Sequence, residues 1–147
     1  MPPLERLSKE ELARSQLEVA LRFYISGEEW PAVITLAGAA EEILGKIAAA
    51  RGFEPALKRT LRHLVESCKR LWGTEATESD FAKLRNHARN ELKHGTQDVT
   101  IDLEHEAASL LARALENYRL CTGQAHPSEF LFTSMRVKNW RAKQPPV

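Results

Sequence analysis

The sequence predicts an all-α protein, an antiparallel bundle of about five helices. Three observations lead there. Apolar residues recur at three- and four-residue intervals in five successive stretches, start and stop residues bracket each stretch, and no segment alternates apolar and polar residues as a strand would. Short turns between amphipathic helices then favour a bundle, and no internal repeat suggests a solenoid.

The first helix is announced by Ser8-Lys9-Glu10-Glu11, the spacing of a capping box. Ala13, Leu17, Ala20, Leu21 and Tyr24 form its apolar stripe until Ser26-Gly27 ends it. Pro31 suits the first turn of a second helix, whose nearly continuous apolar face runs through Val33, Leu36, Ala37, Ala40, Leu44 and Ile47 to Arg51-Gly52. The small residues Ala37, Gly38, Ala39 and Ala40 would let another helix approach closely. Pro55 opens a third helix, with Leu57, Leu61, Leu64, Val65, Cys68 and Leu71 as its stripe and Trp72-Gly73 as its stop.

Glu78, Ser79 and Asp80 place hydroxyl and negative charge at the start of the fourth helix, where unpaired N–H groups and the macrodipole favour them. Phe81, Leu84, Ala88 and Leu92 are its expected buried stripe. After His94-Gly95, Asp102 introduces a fifth helix bearing Leu103, Ala107, Leu110, Leu111, Ala114 and Tyr118, which ends near Thr122-Gly123. Residues 1–123 are therefore expected to form the bundle. Residues 124–147, where Phe130, Leu131, Phe132, Met135, Val137 and Trp140 fit neither period, are expected as an arm or short helix packed on it.

At 147 residues the chain suits one domain. Twenty-one lysines and arginines nearly balance twenty acids, so net charge names no partner. Distribution says more: Lys58, Arg59, Arg62, Lys69, Arg70, Lys83, Arg85, Arg89 and Lys93 face only Glu66, Glu75, Glu78, Asp80 and Glu91 in the same segment. Arg136, Lys138, Arg141 and Lys143 follow Glu129 without an acid. That field is weaker than the basic stripe of a dedicated nucleic-acid binder. Cys68 and Cys121 lack metal or redox spacing, and neither a signal peptide nor a membrane span is visible, so a cytoplasmic protein away from membranes is expected.

Chemistry concentrates in Arg85-Asn86-His87-Ala88-Arg89-Asn90-Glu91-Leu92-Lys93-His94. At 100° per residue Asn90 points almost opposite the apolar stripe, with Asn86, His87, Lys93 and His94 gathered on that polar side. Arg89 and His94 lie about 140° apart on an ideal helix. They meet on one ligand only if the last turn loosens at Gly95 or a second subunit contributes.

Arg89-Asn90, three intervening residues and His94 resemble the signature of the HEPN superfamily, in which an Arg and an adjacent polar residue precede a His by a few positions. The resemblance implies a bundle of four or five helices that dimerises through the motif-bearing face, so that Arg and His from two protomers line a shared cleft. It implies no cofactor, and a metal-independent endoribonuclease or toxin-type RNA-binding effector, in some systems paired with a nucleotidyltransferase-type antitoxin. Carried over by position, Arg89, His94 and Asn90 would be catalytic, and Arg85, Asn86 and Lys93 would hold RNA. An imidazole can exchange a proton with a ribose hydroxyl or leaving oxygen, and a guanidinium offers a fork of donors to a phosphate. An inactive interaction module binding a partner protein or nucleotide through the same face is the alternative the resemblance also permits.

Two readings need no resemblance. A face of Arg, Asn, Lys and Glu can simply be solvated, with His94 a favourable cation at a helix C-terminus and Arg85 and Arg89 paired to Asp80 or Glu91. Against this, Asn86 and Asn90 are poor interior helix residues. Alternatively His87, Glu91 and His94, at i, i+4 and i+7, could hold a metal, with Asp102-Leu103-Glu104-His105 as a looser second segment.

Overall fold

The computed structural model describes residue 1 and residues 3–146, with the backbone alone at position 88. It is all-helical: α1 (Lys9–Ser26), α2 (Trp30–Ala50), α3 (Ala56–Trp72), α4 (Glu78–His94), α5 (Leu103–Thr122) and α6 (Glu129–Ala142). The open segment after Pro127 is thus a sixth helix. No described helix is long and apolar enough to cross a membrane.

The core is a layer of α1, α2 and α5, with α2 packed against both others. Ser8 and Glu11 form the expected capping box at the start of α1. Ala13, Leu17, Ala20, Leu21 and Tyr24 are all fully buried against Val33, Ile34, Ala37, Ala40 and Leu44 of α2 and Leu110, Leu111 and Ala114 of α5. Each large aliphatic side chain so removed from water contributes about 1.5–3 kcal/mol before entropy is counted. Helix α6 docks on this layer through Phe132, whose ring centroid lies 5.1 Å from that of Tyr24. The Tyr24 hydroxyl donates to Glu104 at 2.5 Å, and Asn139 and Lys143 of the C-terminal segment donate to the same carboxylate.

The α3–α4 hairpin is mounted on the core rather than sunk into it: α3 meets α5 and α4 meets α2. The attachment is polar. Pro55 precedes α3 without a side-chain cap, so the Ala56 N–H would be orphaned but for Asn117 of α5, whose Oδ1 accepts it at 2.8 Å. The Asn117 Nδ2 donates to the Glu41 carbonyl at 3.1 Å, and Asn117 is 0% exposed. Gly45 makes room for this, since a Cβ there would stand 3.1 Å from Nδ2. One amide therefore ties three helices together.

The cost of cutting that tie follows. Asn117→Ala leaves a buried N–H unpaired and should lower unfolding free energy by about 1–3 kcal/mol in urea titration. Hydrogen exchange should accelerate first at the amides of α3 while α1 stays protected; uniform acceleration would mean that Asn117 does not fasten the hairpin specifically.

Candidate functional site

Helix α4 begins at Glu78, where its acids place it. Thr77 is the N-cap and forms a capping box with Asp80, so Glu78 and Asp80 lie inside the first turn. The helix is then rotated by roughly a quarter turn from the orientation its leucines predict, taking 100° per residue. Phe81, Ala82, Arg85, Asn86 and Arg89 are half-buried, while Leu84 is 72% exposed and Leu92 36%. The expected buried stripe is therefore corrected at Leu84 and Leu92; Ala88, its fourth member, lies outside the described side chains. The reason is the surface that α4 meets, because α2 offers Gly38, Glu41 and Glu42 there, which suit a cation better than a leucine.

Arg89 fills that surface. Its stem crosses Gly38 so closely that an added Cβ would fall 2.6 Å from Cδ and 2.8 Å from Nε. Beyond the glycine its Nη2 donates to Glu42 Oε2 at 2.9 Å. Lys46 donates to the other Glu42 oxygen, also at 2.9 Å. These two bonds, that of Arg89 foremost, hold the Glu42 carboxyl down at about 2. The neighbouring Glu41 is buried and moves the other way: burial pushes its carboxyl up, opposed by Arg113 and Arg89. Arg89 and Asn86, with Glu41, Glu42, Lys46 and Lys58, line a cleft of about 380 Å³ between α2, α3 and α4.

Of the residues the sequence singles out, Arg89 and Asn86 are brought together in this cleft. Asn90, Lys93, His94 and His87 are exposed on α4 and line no part of it. The last turn does not loosen: Gly95 N–H still donates to the Glu91 carbonyl at 2.9 Å, so one chain alone leaves Arg89 and His94 on different faces. Arg85 belongs to a second, smaller cleft with Arg113 and Arg136. Among the described residues no three His, Cys, Asp or Glu side chains, His87, Glu91 and His94 included, are grouped as a metal ion would require. Arg89 pairs with Glu42 rather than with Asp80 or Glu91.

The sequence does not pair Glu42 or Lys46 with the motif, and Lys58 figures in it only as one cation of the basic stretch; the small-residue run Ala37–Ala40 predicts the close approach. The guest at that approach is an arginine. No protein-family model, curated protein or solved structure matches this chain.

Gly38→Ala tests the arrangement. The methyl must displace a flexible side chain, so helix content should persist while the Glu42 carboxyl rises from about 2 toward 4.5 in a carboxyl NMR titration. An unchanged Glu42 would contradict the crossing. A depressed carboxyl contributes stability above its unfolded value that fades as pH falls through the folded one, but Glu42 is half exposed, so the effect on overall unfolding should be small.

Proposed function

We propose that this chain is an HEPN-like, metal-independent endoribonuclease that acts as a homodimer, with Arg89 and His94 supplied to each site by different protomers. The observation that supports this reading is the uncovered outer face of the motif hairpin. Leu84 is exposed on α4 one turn before His87, and Leu71 and Trp72, the latter 71% exposed, end the adjoining α3. Apolar side chains left in water on the hairpin that carries the motif are what a partner surface requires. A second copy packed on the hairpin would supply the imidazole that the Arg89 cleft, lined in one chain by Asn86, Lys46, Lys58, Glu41 and Glu42, does not contain.

In such a site an RNA phosphate exchanges with Glu42 for the Arg89 guanidinium, which is already desolvated and fixed in direction. The ribose 2′-oxygen attacks phosphorus, its proton passing to an imidazole, and the bond to the 5′-oxygen breaks as that oxygen gains a proton, leaving a 2′,3′-cyclic phosphate and a 5′-hydroxyl. Arg89 stabilises the charge that builds on the non-bridging oxygens. Asn90 orients the imidazole or the RNA, and Lys93 adds positive field. Regulation by a nucleotidyltransferase-type antitoxin is compatible with this reading. The inactive module, binding a partner protein or nucleotide through the same face, is the second reading; the Glu42 clasp on Arg89 favours it, since a guanidinium already engaged can serve structure alone.

Cleavage of mixed single-stranded RNA in excess EDTA decides between them. Wild type should cut, and His94→Ala should lose about 10²–10⁴-fold in rate, the usual contribution of a general acid or base. Equal cleavage by both proteins, or none by the dimeric wild type, would defeat the catalytic assignment.

A further inference from the structure

A second cationic site lies behind the motif helix. Arg113 of α5 is only 6% exposed, yet its Nε and Nη2 are buried without a hydrogen-bond partner. Among the described residues its one close counter-charge is Glu41, whose Oε1 stands 3.7 Å from Nε, beyond hydrogen-bond length. Burial and, at longer range, the neighbouring Arg85 pull the Arg113 guanidinium below its ordinary value, while Glu41 and the more distant Glu106 oppose them. A guanidinium has five N–H donors and no acceptor, so burying two of its nitrogens without a partner is costly, and a ligand in the adjoining space meets Arg113 through its charge and the remainder of its guanidinium.

The space beside it is shaped for an occupant. Arg113 opens onto a cleft of about 200 Å³ whose other cations are Arg85 of α4 and Arg136 of α6, with Ser109 of α5 as a neutral donor. Glu116 also lines this cleft, but it is engaged by Arg59. The volume is below the roughly 300 Å³ at which small-molecule sites begin, and equals the share of about six or seven liquid waters. It suits a compact oxyanion with its nearest waters. Three guanidiniums from three helices around one cleft match the tetrahedral oxygens of a phosphate better than a planar carboxylate, which two donors would satisfy.

We propose that Arg85, Arg113 and Arg136 form a phosphate-binding site, distinct from the Arg89 cleft and independent of whether the protein cuts RNA. Its ligand is a phosphate group, carried either as the free ion or as a terminal monoester of a polynucleotide. Arg136 is exposed and Arg85 half-buried, so both can be changed without touching the Glu41–Arg113 contact.

Calorimetric titration of wild type with inorganic phosphate at low salt should show saturable binding. Arg136→Ala should weaken it by about tenfold or more, as expected for one charge-assisted contact, with helix content and melting temperature retained. In wild type, the guanidinium N–H resonances of Arg113 should shift on addition of phosphate. A 5′-phosphorylated oligoribonucleotide that displaces phosphate, where its 5′-hydroxyl counterpart does not, identifies the polynucleotide end as the source; displacement by neither identifies the free ion. Absence of saturable phosphate binding, or equal affinity in wild type and Arg136→Ala, overturns the site. Neither result bears on cleavage by Arg89 and His94, so the two readings fail separately.

Discussion

The crossing of Arg89 over Gly38 to Glu42 is the constraint from which the placement of α4 follows. It lets a charged side chain serve as the packing element between α4 and α2, and so decides which face of α4 turns inward. Once Arg89, Asn86 and Arg85 occupy that side, Leu84 has nowhere to go but solvent. The chain gives up apolar burial on α4 and keeps a pre-oriented guanidinium in a cleft. Natural sequences accept such local losses where a site demands them.

A polar fastening also explains how the hairpin can be exposed without being loose. Asn117 satisfies the first amide of α3 and the Glu41 carbonyl at once, and the Glu41–Arg113 pair sits a few residues away on the same two helices. Buried ionic groups give little net stability, because desolvation offsets attraction, but removing one partner is severe. Their consequence here is positional. The Glu41–Arg113 pair ties α2 to α5 and Asn117 seats the start of α3 on both, with the two cationic clefts lying on either side of the hairpin.

How far the sequence reveals this depends on what each helix faces. The stripe Ala13, Leu17, Ala20, Leu21 and Tyr24 was legible in full, because α1 packs on apolar neighbours and periodicity alone sets its orientation. The ends of α2, α3, α4 and α5 were legible from Gly52, Gly73, Gly95 and Gly123. The face of α4 was not, since a helical wheel finds where apolar residues cluster but cannot see that the opposing surface is glycine and glutamate. Arg113 and Asn117 were missed for a related reason: they lie among alanines and leucines on the buried side of α5, where polar residues look like interruptions until their partners from other helices are known. Within the motif, spacing already implied that Arg89 and His94 diverge, and the intact last turn of α4 keeps them apart.

What remains is whether a second copy reunites them, and mixing inactive variants asks this directly. If each site takes its guanidinium from one protomer and its imidazole from the other, Arg89→Ala and His94→Ala are each inactive, yet a mixed dimer contains one intact site. Random reassortment of equal amounts should then restore about a quarter of wild-type RNA cleavage, from half the dimers carrying half their sites. A mixture as inactive as either variant, although shown to exchange subunits, would contradict the shared site.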